Sequence, residues 1–213
     1  GSTATSISGS TFTGSGSISM TSTSNPEIKS LTVGGSGAGT FAAGGAVSLN
    51  DIHHTTDSHI SGSANLGING SITAKATDGS VIKGLAGAVA GAGGGAIGAS
   101  IATNDIGNTI TAYVANSTVD SGNGGVRVEA ASNATIQTIT VAGSGAGTFA
   151  LGASVSLNDI SNTIDAHISG GSDVEANGSI RVLASDNSLI ESLAGNLSGA
   201  GGAAVGAAIA TND

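Results

Sequence analysis

The chain has 213 residues, of which 37 are glycine, none is cysteine and only 9% are charged. Its 14 acidic and 5 basic residues give a formal net charge of −9, so the surface repels phosphate backbones and nucleic-acid binding is not expected. The absence of cysteine excludes a disulfide framework.

One sequence pattern recurs along the chain with a fixed 54-residue period. The segment SGAGTFAAGGAVSLNDI begins at Ser36, and variants of it begin at Ala90, Ser144 and Ser198. A period that is kept without insertions indicates supersecondary units that stack on one another. We therefore interpret the chain as a single repetitive domain and not as a globule.

The repeat units also alternate between two types. Phe41 recurs as Phe149 two units further along, while Gly95 occupies the same column in the unit between them. The pattern is thus an alternating 108-residue pair of units. Both ends of the chain fall within the pattern, which we interpret as a segment of a longer repetitive protein. Residues 1–35 are the tail of a preceding unit. The full units are residues 36–89, 90–143 and 144–197, and a truncated unit follows at residues 198–213.

Within each unit, short segments alternate apolar and polar residues, as strands do. In chain order, examples are residues 47–49, 110–114, 126–128 and 136–139. Asn-Gly pairs that begin at Asn69, Asn123 and Asn177 predict turns between strands. No segment has helical periodicity with caps, so the predicted fold class is all-β.

Five columns at the 54-residue period are aliphatic in every unit. If successive units stack, these residues form internal ladders, which is how a parallel β-solenoid (β-helix) buries a core with few aromatic residues. The columns predict that residues such as Ile180 are buried. Their first members are Val47, Ile52, Ile60, Ile72 and Ile82.

The number of coils in each unit follows from strand spacing and charge. One coil per unit would stack Asp51, Asp105 and Asp159 about 4.8 Å apart, which is unfavourable for like charges. Two coils of about 27 residues separate them by about 10 Å, close to a Debye length, and give a rod of about 40 Å. We therefore expect two coils per unit; three coils of about 18 residues would also relieve the repulsion.

Residues 84–102 form an uncharged segment that is long enough for a membrane helix. Seven of these residues are glycine, and each costs a helix roughly 1 kcal/mol relative to alanine. The sister copy near Ser36 is also more polar. We expect no membrane span.

An Asn-Asp pair recurs at the end of the repeated segment. Asn and Asp tolerate left-handed backbone and bond their own main chain, so the pair is typical of a turn at a coil corner. Carboxylate and amide oxygens also bind calcium, which makes Asp51, Asp105 and Asp159 calcium candidates. Known calcium-loop motifs are absent, and the turn interpretation is favoured.

His59, Tyr113 and His167 share one column, which predicts flat rings stacked outward along the solenoid. Such rings can contact a sugar face. His53 and His54 have no histidine counterparts in other units, so no recurring metal site is predicted. Asp57-Ser58-His59 suggests a nucleophile and a base, but adjacent strand residues point to opposite faces. We expect no catalytic residue, no cofactor and no enzymatic activity.

The Gly/Ala runs, the strand that ends in Asn-Asp-Ile and the segment NTITAYVANSTVDSGNGGVRVEAAS resemble the repeat region of giant bacterial surface adhesins. These are the filamentous haemagglutinin and leukotoxin-type filamentous adhesins. The resemblance implies a β-helical shaft that is secreted to the bacterial cell surface. It implies attachment of the parent protein to host cells, other bacteria or a matrix, as in virulence.

Two functions are consistent with this sequence. The first is a structural stalk that acts as a rigid spacer in cell attachment. The second is a weak, multivalent module whose repeated surface columns bind glycans or another surface. Open backbone edges at the ends of a solenoid also predict end-to-end self-association.

Overall fold

The computed structural model describes all 213 residues as 20 β-strands, without a helix. The strands form five sheets of four parallel strands each. Each sheet takes one strand from each of four successive coils. This arrangement confirms the predicted all-β class and the parallel β-solenoid architecture.

Each coil contributes strands of 7, 4, 7, 12 and 12 residues, except that the last strand of the chain has 10. The first coil contains β1 (Ser2–Ser8), β2 (Thr11–Gly14), β3 (Ile18–Ser24), β4 (Glu27–Ala38) and β5 (Phe41–Ile52). The second contains β6 (Thr55–Ser61), β7 (Asn65–Ile68), β8 (Ile72–Asp78), β9 (Val81–Ala92) and β10 (Gly95–Ile106). The third contains β11 (Thr109–Ala115), β12 (Thr118–Ser121), β13 (Val126–Ser132), β14 (Thr135–Ala146) and β15 (Phe149–Ile160). The fourth contains β16 (Thr163–Ser169), β17 (Asp173–Ala176), β18 (Ile180–Asp186), β19 (Leu189–Ala200) and β20 (Ala203–Asn212).

Strand register shows that each repeat unit is one coil. Asn104 pairs with Asn50 in the coil before it and with Asn158 in the coil after it. The prediction of two coils per unit is therefore wrong, and three coils are excluded as well. Four coils at the usual strand spacing make a stack about 19 Å tall, not a rod of about 40 Å.

Like-charge repulsion along the column of Asp51 is too weak to prevent one coil per unit. Asp51, Asp105 and Asp159 do stack in register. The Asp51 side chain is 68% exposed and contacts His53. In water, two unit charges about 4 Å apart interact by only about 1 kcal/mol, and salt screens this further. Ladders of identical inward residues in every coil outweigh that cost.

The first three strands of each coil enclose the main hydrophobic core, and we call this part of the solenoid the body. Its buried cluster contains 14 residues, including Ile60, Leu66, Ile72, Val114 and Val126. These residues belong to successive coils, so aliphatic side chains stack above one another along the solenoid axis. The predicted ladders that begin at Ile60 and Ile72 are confirmed.

The fourth and fifth strands of each coil run out and back as a thin two-layered projection, which we call the arm. Short connections such as Gly39-Thr40 join its two layers. Inside the arm the backbones approach closely, since a Cβ on Gly98 would collide with the Gly143 carbonyl oxygen. Glycine, alanine and serine therefore hold most of the inward positions of the arm. The Gly/Ala runs of the sequence are therefore the lining of this arm.

Asparagines form a buried hydrogen-bonded ladder inside the arm. Asn50 donates from Nδ2 to Asn104 Oδ1 over 2.7 Å, and Asn104 donates to Asn158 Oδ1 over 2.7 Å. Asn158 continues the ladder to Asn212 Oδ1 over 2.8 Å. The Asn-Asp pairs lie within long strands, so the prediction of a turn at these residues is wrong. Alternation along the strand turns each asparagine inward and the following aspartate outward.

A second apolar cluster joins the arm to the body. It contains Ile52, Ile82, Ile106 and Ile136, which confirms the two predicted ladders that begin at Ile52 and Ile82. The column of Val47 behaves differently, because Val47 is 58% exposed on the outside of the arm. The prediction that this column is internal is wrong, since the interior side of the same strand holds the smaller residues Ala46 and Ser48.

Burial also depends on position in the stack. Ile180 points toward the body core but is 47% exposed, because no further coil of this chain covers β18. The expectation of a buried Ile180 is wrong for that reason. Its equivalents Val126 and Ile72, which have a neighbour on both sides, are 1% and 0% exposed.

The uncharged segment 84–102 falls in β9 and β10, which are strands of the arm. The structure has no helix that is long and apolar enough to cross a membrane. The predicted turns at Asn69, Asn123 and Asn177 are confirmed, since each lies between the second and third strands of its coil.

Candidate functional site

The ring column lies on the outer side of the body, on the first strand of each coil. His59 on β6, Tyr113 on β11 and His167 on β16 are in register. Ring centroids are 4.7 Å apart for His59 and Tyr113 and 5.2 Å apart for Tyr113 and His167. The interplanar angles are 6° and 4°, so the three rings are stacked as the sequence predicts.

Each imidazole in the column has a carboxylate beside it. His59 Nδ1 is 2.8 Å from Asp57 Oδ2, and His167 Nδ1 is 2.9 Å from Asp165 Oδ2. Thr111 donates its hydroxyl to the other oxygen of Asp57 over 3.1 Å. Each imidazole ring of the column is thus paired with an aspartate two residues before it on the same strand.

Burial between the two imidazoles, reinforced by the Asp57 charge, raises the pKa of the Tyr113 phenol above its ordinary value of 10.0. The hydroxyl is therefore a neutral donor at ordinary pH. A flat ring with a polar end is the type of side chain that contacts sugar faces. The role of His59, Tyr113 and His167 as a contact surface stays a prediction.

Asp57, Ser58 and His59 do not form a catalytic group. The Ser58 side chain is buried and donates its hydroxyl to the Met20 carbonyl over 3.3 Å. The His59 ring lies on the opposite, outer face of the strand and stacks on Tyr113. The prediction that Ser58 and His59 point to opposite faces is confirmed, and no proton can pass between them.

The aspartate column runs along the outer edge of the arm where the arm meets the body. Asp51, Asp105 and Asp159 pair in register on β5, β10 and β15. His53 contacts Asp51 through Nδ1, while His54 Nε2 lies 3.0 Å from the Thr3 hydroxyl. The structure contains no group of three or more His, Asp or Glu side chains that could hold a metal ion. Calcium binding by the aspartates stays an untested hypothesis.

Sequence reasoning missed an ion-pair group on the third sheet of the body. The Glu129 side chain is only 6% exposed and lies beside two guanidinium groups. Arg127 contacts its Oε1 atom through Nη2, and Arg181 Nε is 3.5 Å from the same atom. Neither contact has hydrogen-bond geometry at Oε1. Arg127 and Arg181 occupy the same column of the repeat, but no other unit has an acidic residue in the column of Glu129. The repeat pattern therefore did not point to this ion pair.

Sequence reasoning also missed that the arm has two outer faces covered with apolar side chains. Leu31 is 72% exposed on one face, and Leu49 is 74% exposed on the other. An aliphatic column is ambiguous in sequence, because it looks the same whether it faces the interior of an arm or the outside.

No family model, curated protein or solved structure matches this chain. The class that the structure defines is a parallel β-solenoid with one coil per repeat and a two-layered arm.

Proposed function

We propose that this chain is a stalk segment of a secreted bacterial surface adhesin and acts as a rigid spacer in cell attachment. The observation that supports the proposal is the continuous parallel pairing of all five strands of each coil with the equivalent strands of the next coil. Every coil is bonded to the next along five strands, so the stack extends as a single stiff body. Catalytic sites usually interrupt a repeat, and the departures from the period here are one-residue differences in the loops on either side of the second strand of each coil.

The composition of the surface also supports a structural role. The charged residues are few, and the net charge of −9 keeps the chain away from nucleic acids and from other anionic surfaces. Serine and threonine occupy many outward positions of the body, where they hydrate the surface. The adhesive partner of the parent protein, a host cell, another bacterium or a matrix, would then be bound elsewhere along that protein.

Localisation is the direct test of the proposal. An antibody raised against this protein should label intact cells of the source organism without permeabilisation. An antibody against a cytosolic protein is the control, and it should label only permeabilised cells. Labelling of the repeat only after permeabilisation would refute the surface location.

A second function is favoured by the stacked rings of His59, Tyr113 and His167. On this hypothesis the column itself binds glycans weakly, with avidity that grows with the number of coils. A glycan array probed with the chain tests it, because a pure spacer should bind no glycan. The discriminating variant replaces all three rings by alanine, and it should abolish any binding.

The matched control for the ring variant lies on the same three strands. Thr55, Thr109 and Thr163 are exposed in register, four positions before the ring column. Their triple replacement by alanine should leave glycan binding unchanged. If both triple variants lose binding equally, the rings are not the contact surface.

A further inference from the structure

The outer face of the sheet β4–β9–β14–β19 has a steric pattern that single-chain stability does not explain. We call it the glycine face; it consists of positions 31, 33, 35 and 37 and their equivalents in the other three coils. In each coil these outward positions hold two aliphatic residues and two glycines. The order is Leu-Val-Gly-Gly, Leu-Gly-Val-Gly, Ile-Val-Gly-Gly and Leu-Gly-Leu-Gly in the four coils, from Leu31, Leu85, Ile139 and Leu193.

The structure of one chain does not require these glycines. None of them has a positive φ, so another residue could adopt the same backbone. A Cβ on Gly35, Gly91 or Gly145 would meet nothing within 4 Å, and one on Gly87 would first meet an atom at 3.9 Å. The inward glycines of the arm differ, since a Cβ on Gly98 would collide with backbone.

Glycine in a strand interior weakens the strand and often marks a site where another backbone approaches closely. Eight outward glycines with free space above them therefore indicate an approach from outside the chain. The face carries no charge across its four outward columns, although the chain as a whole has a net charge of −9. An open depression of about 710 Å³ lies between Val33, Val89 and Leu197, where the glycines leave hollows.

The order of aliphatic residues and glycines matches a copy of itself. A two-fold axis parallel to the solenoid axis, through the column of Gly34, brings position 31 opposite 37 and position 33 opposite 35 of the partner. Leu31 then meets Gly37, and Val33 meets Gly35. In the next coil the order changes, yet Val89 still meets Gly87. The same pairing of one aliphatic residue with one glycine holds in all four coils.

The other outer face of the arm has no such pattern. Among its outward positions from Phe41 to Leu49 and their equivalents, only Gly45 and Gly95 are glycine. A two-fold axis through the column of Ala46 would set the aliphatic column of Val47 opposite the small column of Gly45, but it would also set Leu151 opposite Leu157. Only the glycine face sets a glycine opposite every aliphatic residue in all four coils.

We propose that two copies of this chain pack through their glycine faces about that two-fold axis, with strands antiparallel across the interface. The sheet measures about 40 Å along its strands and about 19 Å across its four strands. The glycine face itself, residues 31–37 and their equivalents, covers about 23 Å by 19 Å, or roughly 440 Å². This is about half of the roughly 800 Å² per partner of a standard interface, so four coils should pair with modest affinity. Two solenoids would thus run side by side in the same direction, and each additional coil would extend the interface. This inference goes beyond the spacer function, because it makes the stalk a pair.

Molar mass in solution tests the proposal directly. Sedimentation equilibrium of the chain should give twice its mass of 19.8 kDa, with a limiting stoichiometry of two. Because each copy has a net charge of −9, added salt should tighten the dimer. A chain that stays monomeric at every concentration refutes the proposal. Open-ended growth of the mass that Gly87→Val leaves unchanged would assign all association to the ends of the stack and refute pairing, because an isologous interface closes at two copies.

A pair of variants tests the two-fold register. Gly87→Val places a valine opposite Val89 of the partner at two symmetric points, and it should raise the dimer dissociation constant at least about tenfold. The added side chain has room within one chain, so thermal stability should be unchanged or higher. The double variant Gly87→Val with Val89→Gly exchanges knob and hole and should restore the dimer.

The matched control is Gly45→Val, which adds the same side chain to the opposite face, where the nearest atom to a new Cβ is 3.9 Å away. It should leave the dissociation constant unchanged. A dimer that tolerates Gly87→Val, or one that the double variant does not restore, would refute the proposed register. Binding of a monomeric chain to zwitterionic lipid vesicles would assign the face to a membrane surface and refute pairing.

Discussion

Asn104 is the residue whose environment best explains how a thin arm tolerates a polar interior. It donates to Asn158 Oδ1 and to the Thr138 hydroxyl over 2.7 and 2.9 Å, and it accepts from Asn50 over 2.7 Å. A carboxamide both donates and accepts, so the same side chain can repeat in every coil. A buried asparagine ladder therefore specifies the coil register, because a shifted strand would leave these amides unpaired.

Removal of one amide should weaken the ladder on both sides. We predict that Asn104→Ala lowers the free energy of unfolding by about 2–3 kcal/mol, because partners in two coils lose buried hydrogen bonds. Urea unfolding followed by circular dichroism measures the change. Thr103→Ala, at the neighbouring outward position, is the control and should change stability by less than about 0.5 kcal/mol. Equal effects of the two variants would contradict the buried ladder.

Tyr113 reports on the packing of the ring column because it is the only tyrosine and the chain has no tryptophan. Burial, and then the Asp57 charge, raises the pKa of its phenol above 10.0. The folded state thus favours the protonated phenol. Stability from this group is present below pH 10.0 and is lost as the pH rises from there through the folded-state pKa.

Ultraviolet absorbance of the phenolate should show a titration midpoint above 10.0 in the folded chain and near 10.0 in denaturant. Asp57→Asn should lower the folded midpoint only in part, since burial is the larger cause. His59→Ala, which uncovers one face of the ring, should lower it as well. Identical midpoints in folded and unfolded chains would contradict the stacked column.

At the scale of elements, the body and the arm bury their residues by different chemistry. The body uses aliphatic ladders such as Ile72 and Val126, whereas the arm uses small side chains and hydrogen bonds. An unpaired charge should therefore be tolerated least among the aliphatic ladders of the body, whereas the buried Asp78 at the end of β8 accepts hydrogen bonds from Ser80 and Asn108.

Val126→Asp tests the core of the body. Val126 is 1% exposed, and the variant should lose about 4 kcal/mol or more of unfolding free energy, since it buries an unpaired charge. Ile180→Asp is the matched control in the same column; at 47% exposure it should lose less than half as much. Urea unfolding measures both. If Ile180→Asp were the more damaging variant, burial in this column would not depend on the position of the coil in the stack.

The sequence was sufficient to predict those features for which the repeat pattern allows only one structural interpretation. The repeat period predicted parallel stacking, and the ladders of Ile52, Ile60, Ile72 and Ile82 are internal as their columns indicated. The column of Val47 was misinterpreted, because in the arm the smaller residues face inward. A pattern of hydrophobicity alone cannot reveal that two sheets approach too closely for large side chains.

The number of coils per unit could not be predicted from the sequence either. It depends on a balance between the repulsion of stacked aspartates and the hydrogen bonds of stacked asparagines. The Asp51 ladder was visible, but its weak cost in water could be judged only once its exposure was known. The favourable term, the buried ladder of Asn50, was visible as a column too, yet it was assigned to a turn. The interior of the arm decides the coil number, and the arm is a tertiary feature.

At the scale of the whole molecule, the solenoid extends by identical steps. Five parallel sheets bond each coil to the next, and no loop larger than a short corner interrupts them. The stack of four coils is about 19 Å tall, less than the roughly 40 Å span of the arm. Length is thus gained slowly, because a whole repeat unit adds only one strand spacing, and a long spacer of this type needs a very long chain.

A tandem duplication measures that step. Duplicating residues 53–160 adds one pair of coils in phase, because the new junction joins residue 160 to a residue equivalent to 161. Solution scattering should then show the stack longer by about 10 Å, with an unchanged cross-section. Both proteins should carry Gly87→Val, so that lateral pairing does not change the measured length or cross-section.

The size of the increment distinguishes the possible architectures. Two coils per unit would lengthen the stack by about 19 Å instead. Insertion of a flexible Gly-Ser segment of the same length is the control, and it should give no regular increment. Because spacer length is the property on which attachment depends in the proposed function, a constant increment per pair would support both the one-coil register and the stalk.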